Sequence, residues 1–155
     1  MLALTRKTDY GLVAMAHLAE KFDQVCSARE IAQAHRIPVP VLMSILKRLS
    51  RAGLITSVRG TRGGYRVAID LEQVSLNDFI VAVEGPIRMV LCADEHHDGN
   101  VSCVISGCCP VQAPLMRLHD RFGEFLSKVS LSEIVQGGTP LMISTLQMAE
   151  ERQHA

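Results

Sequence analysis

Residues 54–68 read LITSVRGTRGGYRVA. Two short runs, LITSV and YRVA, flank a glycine-rich turn, so the stretch predicts a β-hairpin with Arg59, Thr61 and Arg62 at its tip. Immediately upstream, Val41, Leu42, Ile45, Leu46 and Leu49 recur at helical spacing, and Gly53 is placed to end the helix. That helix is expected to begin near Pro40, because the N–H that proline lacks would be unpaired at a first helical position. Its exposed start offers Pro40, Val41, Met43 and Ser44, and Lys47, Arg48 and Arg51 lie on or beside its polar side.

Two shorter helices come before it. One, over about 28–35, opens with Ser27 and Glu30 at capping-box spacing and carries Ile31 and Ala34 inward. The other, over about 9–21, gathers Tyr10, Val13, Ala14, His17 and Leu18 on one face. Helix, helix, tight connection, basic helix and hairpin is the order of a winged helix-turn-helix. The expected fold class is mainly α with a small β component (α+β). Residues 1–69 form the winged helix-turn-helix DNA-binding region, 70–135 a helix, a cysteine loop and a long dimerisation helix, and 136–155 a tail.

Charge follows the same division. The chain has 16 Lys and Arg against 16 Asp and Glu, but residues 1–69 hold eleven of the bases and four of the acids, a net +7 balanced by −7 beyond. A basic half of this kind points to a polyanionic partner, and arginines at a wing tip suit phosphates or a narrow minor groove. Of Pro40, Val41, Met43 and Ser44, only Ser44 has a side chain that hydrogen-bonds a base, and Met43 can touch a thymine methyl. Reading of DNA is therefore expected more through the wing and DNA shape than through this helix. No apolar run approaches the roughly 18 residues of a membrane span, and the start MLALTRKTDYG lacks a secretory pattern, so a cytoplasmic protein without a membrane partner is expected.

Further along, Leu76, Phe79, Ile80 and Val83 make the apolar face of a helix over 75–84, stopped by Gly85 and Pro86. Leu115, Leu118, Phe122, Phe125 and Val129 follow at spacings of 3, 4, 3 and 4. That narrow seam suits pairing with a twin helix, and also an amphipathic helix packed within its own chain. Between these helices, residues 92–109 read CADEHHDGNVSCVISGCC and hold four of the five cysteines. In a reducing compartment such clustering favours metal or redox chemistry over structural disulfides. Cys26 reads as a small buried hydrophobe, and His17 as filler rather than a ligand.

The segments LTRKTDYGLVAMAHLA, SAREIAQAHRIPVPVLMSILKRLSRAGLI, VRGTRGGYRVA and VSLNDFIVAVEGPI together resemble the winged-helix bacterial transcription regulators that include IscR, NsrR and RirA. Within that family the chain is most similar to the branch regulating the SUF iron-sulfur assembly operon, over about residues 1–135. The resemblance implies a homodimeric regulator, a repressor of iron-sulfur assembly genes, that binds a palindromic double-stranded DNA operator. It also implies an iron-sulfur cluster, [2Fe–2S] or [4Fe–4S], that sets operator affinity.

Cys92, Cys103 and Cys109, spaced C-x10-C-x5-C, are the cluster ligands so implied, since thiolates match iron in a sulfide core. The histidine that some relatives place shortly after the last cysteine corresponds here to Gln112, a poor iron ligand. Asp9, in the TDYG motif, matches the other fourth-ligand position, with Cys108, His96 and His97 behind it. A zinc site, a thiol–disulfide switch without a cluster and, remotely, a thiol redox enzyme using Cys108 or Cys109 with His96 or His97 as base are the other chemistries open to this loop. The chain has no CxxC motif and no Gly-rich phosphate loop, and a non-enzyme is expected.

Overall fold

The computed structural model describes residues 4–90, 105 and 108–137. Six α-helices occur among them: α1 (Arg6–Glu20), α2 (Ala28–His35), α3 (Val39–Arg51), α4 (Leu76–Glu84), α5 (Gln112–Lys128) and α6 (Leu131–Val135). Between α3 and α4 lie β1 (Ile55–Val58), β2 (Gly64–Val67) and a 3-10 turn, Leu71–Gln73. The strands pair antiparallel with Ile55 opposite Val67 and Val58 opposite Gly64, leaving residues 59–63 as the tip. The mainly α winged helix-turn-helix expected from the sequence is the fold.

Local chemistry explains where the helices begin and end. Helix α1 starts three residues before the expected Asp9, because the Thr5 hydroxyl accepts from the Lys7 and Thr8 amides and caps the first turn. At α2 only half of the expected capping box forms. The Glu30 amide donates to the Ser27 hydroxyl at 3.1 Å, but the Glu30 carboxylate turns to Lys21 at 2.5 Å instead of back to Ser27. Arg36 then takes a left-handed φ of 54°, and the Ile37 amide reaches back to the Ala32 carbonyl at 3.0 Å, which makes the tight turn. Helix α3 begins one residue earlier than expected, with Pro38 flanking it and Pro40 in its first turn. It ends as expected at Gly53, whose φ is 78°. The amides of Gly53 and Leu54 bond the Ser50 and Leu49 carbonyls, a Schellman closure.

A single core joins both sequence regions. It includes Met15 and Leu18 of α1, Ile31 of α2, Leu46 and Leu49 of α3, Phe79 and Val83 of α4, and Leu126, Val129 and Leu131 from the end of the chain's described part. Each such side chain removed from water contributes about 1.5–3 kcal/mol. Gly11 is where α1 crosses α4: a Cβ there would stand 2.9 Å from the Phe79 ring. Two expectations for the core change. Ala34 is exposed, and the inward stripe of α2 is Ala28, Ile31 and Ala32. Val41, at 37% exposed, lies outside the buried stripe of Leu42, Ile45, Leu46 and Leu49.

The end of α5 is stitched to the start of α4. The Leu76 amide donates to the Val129 carbonyl at 2.8 Å, and the Leu131 amide to the Val74 carbonyl at 2.7 Å. Two complete capping boxes, Ser75 with Asp78 and Ser130 with Glu133, start the helices on either side of this bridge. Among the described residues no helix is long and apolar enough to cross a membrane.

Candidate nucleic-acid interface

Helix α3 presents Pro40, Val41, Met43, Ser44, Lys47, Arg48 and Arg51 at exposed positions, and the wing tip exposes Arg59, Thr61 and Arg62. From residue 36 to residue 69 the chain contains seven Arg and Lys and no Asp or Glu. A long acid-free stretch of this kind attracts a polyanion without local repulsion.

The wing is held at its root. The Cys26 amide donates to the Tyr65 carbonyl at 3.0 Å and the Tyr65 amide to the Cys26 carbonyl at 2.8 Å, so the segment before α2 pairs with β2. Two glycines allow this geometry. A Cβ on Gly64 would fall 2.3 Å from the Cys26 carbonyl oxygen, and one on Gly63 would fall 2.6 Å from the Val58 carbonyl oxygen. The sequence marks these glycines as turn residues, whereas Gly64 serves close backbone approach.

Arg48 differs from its neighbours. Its Nη1 donates to the Val83 carbonyl at 2.7 Å. That carbonyl belongs to the last turn of α4, where no intrahelical amide is left to bond it, and a cation there also favours the helix dipole. Arg48 thus joins α3 to α4 as well as lying on the basic face. Lys47 and Arg51 are exposed beside it.

The second group of expected site residues divides between described and undescribed positions. Cys92, Cys103, His96 and His97 lie outside the described residues. Cys109 is half-buried and Cys108 exposed, both as free thiols, in the turns leading into α5. Asp9 is exposed in the first turn of α1. Beside it Thr8 is buried, and both Thr5 and Thr8 donate from their hydroxyls to the Glu84 carboxylate.

Along α5, Leu118 and Phe125 are 52% and 41% exposed, and Val111, one heptad before Leu118, is 51% exposed. Leu115 and Phe122 are half-buried between them. The expected seam loses its last member. Val129 lies just past the end of α5 and is buried in the chain's own core, since its carbonyl is tied to Leu76 and the extended backbone turns its side chain inward. Val111, the residue just before α5, extends the outward stripe at the other end.

Comparison with known proteins agrees with this architecture. A family model described as Rrf2, iron-dependent transcriptional regulator, matches residues 4–137. Among solved structures, CymR of B. subtilis, titled the global cysteine regulator of that organism, is 28% identical, with 90% of this chain and 100% of that one covered and a TM-score of 0.68. CymR of Staphylococcus aureus is 30% identical over 88% of this chain and all of its own, at a TM-score of 0.64. IscR of T. potens is 25% identical over 99% of this chain and 93% of its own, at a TM-score of 0.60. With the hairpin wing, the acid-free basic face and a family match over nearly the whole described chain in agreement, this protein belongs to the Rrf2 family of transcriptional regulators.

Proposed function

We propose that the chain acts as a homodimer that binds a palindromic DNA operator and represses iron-sulfur assembly genes, with operator affinity set by an iron-sulfur cluster. The recognition surface is the exposed face of α3, from Pro40 through Arg51, together with Arg59, Thr61 and Arg62 of the wing. Dimerisation uses the outward stripe of α5, Val111, Leu115, Leu118, Phe122 and Phe125, whose 4, 3, 4, 3 spacing fits a helix pair. Cys92, Cys103 and Cys109 hold the cluster, and Asp9 of the partner subunit is the fourth ligand.

The observation that carries this reading is the position of Cys109, three residues before α5 begins. A proposed cluster ligand and the proposed dimer seam are then adjacent along the chain. The donors fit the group: the chain supplies three thiols from one loop. Cys109, the one among them that is described, is a free, half-buried thiol just ahead of α5. When bound, the cluster supplies a change of charge and oxidation state inside the loop. The residues of the chain do the rest: the thiolates draw the loop together, α5 pairs the subunits, and α3 with the wing meets DNA.

Anaerobic purification tests the reading, with visible absorbance and counts of iron and sulfide per chain. Wild type is expected to be brown with stoichiometric sulfide, and Cys92→Ala, Cys103→Ala and Cys109→Ala to lose both. Leu118→Glu with Phe125→Glu is expected to yield monomers in sedimentation. Colourless wild-type protein, before and after reconstitution, refutes the cluster. A second reading, thiol–disulfide sensing without a cluster, is favoured by the free Cys108 thiol, which is exposed next to Cys109. It predicts colourless protein whose DNA affinity changes on mild oxidation and recovers with a reductant.

A further inference from the structure

His17, expected to be filler, is 7% exposed between α1 and α2. Its Nδ1 meets His35 Nε2 at 3.0 Å, with the two rings edge to face. Its Nε2 is buried and has no hydrogen-bond partner among the described residues. That nitrogen faces Glu30 Oε1 at 3.8 Å, and the ligand atoms of His17, Cys26 and Glu30 all lie within 4.8 Å of one another. Cys26 is 1% exposed, so its thiol points into protein.

We propose that His17 Nε2, Cys26 Sγ and a Glu30 carboxylate oxygen bind one divalent first-row cation of zinc type, with the fourth tetrahedral position left to water. Imidazole, thiolate and carboxylate together suit a borderline-soft ion. Bonds of roughly 2.0–2.3 Å to such an ion place tetrahedral ligand atoms about 3.3–3.8 Å apart. The His17–Glu30 pair, at 3.8 Å, is within about 0.5 Å of the spacing for a nitrogen and an oxygen ligand, and Glu30, on a side chain 43% exposed, can supply the remaining movement.

Two neighbours complete the site. With Nδ1–H donated to His35, His17 keeps its lone pair on Nε2, which is how a second hydrogen bond orients a metal-bound histidine. Lys21 holds Glu30 Oε1 at 2.5 Å, and its side chain is 37% exposed. An entering cation takes over that oxygen, and the ammonium moves to water. The Cys26 thiol releases its proton to solvent as the metal binds. Because Cys26 is also the residue paired with Tyr65, an ion here would join α1, α2 and the root of the wing. None of these residues belongs to the cysteine loop, so this site and the cluster stand or fall separately.

The test is cobalt titration of the full chain with Cys92, Cys103, Cys108 and Cys109 changed to serine, after chelation and under anaerobic conditions. One equivalent of Co2+ is expected to produce tetrahedral d–d bands and a thiolate-to-cobalt charge-transfer band, both removed by Zn2+. Cys26→Ala should abolish the charge-transfer band. His17→Gln and Glu30→Gln should each weaken binding by at least about 10-fold, and His35→Ala by about 10- to 100-fold. Lys21→Met should tighten it. Glu30 is exposed, so its substitution leaves the fold intact. In the chain with its loop cysteines present, the same site reads as one equivalent of cobalt whose affinity falls by the same factor on Glu30→Gln. Absence of the charge-transfer band, or affinity unchanged by either Glu30→Gln or His17→Gln, overturns the proposal.

Discussion

Replacing Gly64 with alanine tests whether the wing is positioned by its root. The added Cβ would lie 2.3 Å from the Cys26 carbonyl oxygen, 2.6 Å from the carbonyl carbon and 3.0 Å from the Ser27 nitrogen. All three are backbone atoms, so no side chain can swing aside. The strand either keeps the clash or moves off the 26–27 segment. Keeping it costs about 1–3 kcal/mol of overpacking. Moving off gives up the two Cys26–Tyr65 hydrogen bonds, at 3.0 and 2.8 Å, each worth about 1 kcal/mol. Relaxation exchanges one cost for the other, so the expected loss is about 2–3 kcal/mol, a large part of the roughly 5–15 kcal/mol of a typical domain. With a urea m-value of about 2 kcal/mol per molar, the unfolding midpoint should fall by about 1–1.5 M. DNA affinity measured by fluorescence anisotropy should fall as well, under conditions where the variant remains folded. A midpoint within about 0.2 M of wild type would refute the close approach.

Burial holds the His17 imidazole pKa below that of a free histidine, and the Lys21 and His35 charges add to this against the opposing pull of Glu30 and Glu20. The unfolded chain therefore binds a proton first as pH falls, so metal-free protein should lose stability on acidification through about pH 6.5, by at most about 1.4 kcal/mol per pH unit. His17→Gln should flatten that slope in urea titrations between pH 5 and 7. Gly123 lies mid-helix in α5 with open space at its Cβ position. Gly123→Ala should stabilise by about 0.5–1 kcal/mol, read as a higher urea midpoint. Lys47→Ala should lower the slope of log affinity against log salt by about 1, with stability unchanged within about 0.5 kcal/mol. Arg48→Ala should also destabilise by about 1.5–3 kcal/mol, because the Val83 carbonyl loses its charged donor.

The fold was legible because its signals are local. Periodicity at Leu42, Ile45, Leu46 and Leu49, a glycine at 53 and a hairpin pattern at 54–68 each depend on neighbours a few residues away, and together they leave one topology. What escaped the sequence depends on distant partners. Glu30 at capping-box spacing indicates a bond to Ser27, yet Lys21, nine residues back, takes the carboxylate. Val129 continues the seam spacing, yet its carbonyl is claimed by Leu76, more than fifty residues away. His17, Cys26 and Glu30 are separated by nine and four positions that match no metal motif. Only the crossing of α1 with α2 and the pairing of Cys26 with Tyr65 bring them together. The basic face was legible as charge, but the anchoring role of Arg48 required knowing that α4 ends against α3.

These long-range ties also bear on how the two halves of the chain communicate. Helix α4 is bonded at both ends: Leu76 at its start to Val129 after α5, and Val83 at its end to Arg48 on α3. Its nine residues span about 13 Å as one rigid rod. The end of α5 is stitched to the start of α4, while Glu84 at the other end of α4 is held by the Thr5 and Thr8 hydroxyls, and the chain from Glu84 to Gln112 carries the cysteine loop. Under the proposed function, a cluster held by Cys92, Cys103 and Cys109 would draw that segment together. The change acts at the end of α4, next to where the Val83 carbonyl holds Arg48. The recognition helix is then reached both through its packing on α4 in the shared core and through the Arg48–Val83 hydrogen bond at its basic end. Arg48 would on this account be one residue through which the cysteine loop reaches DNA. Arg48→Ala should therefore bring the operator affinities of the cluster-bound and cluster-free forms closer together, whereas Lys47→Ala should weaken both by the same factor.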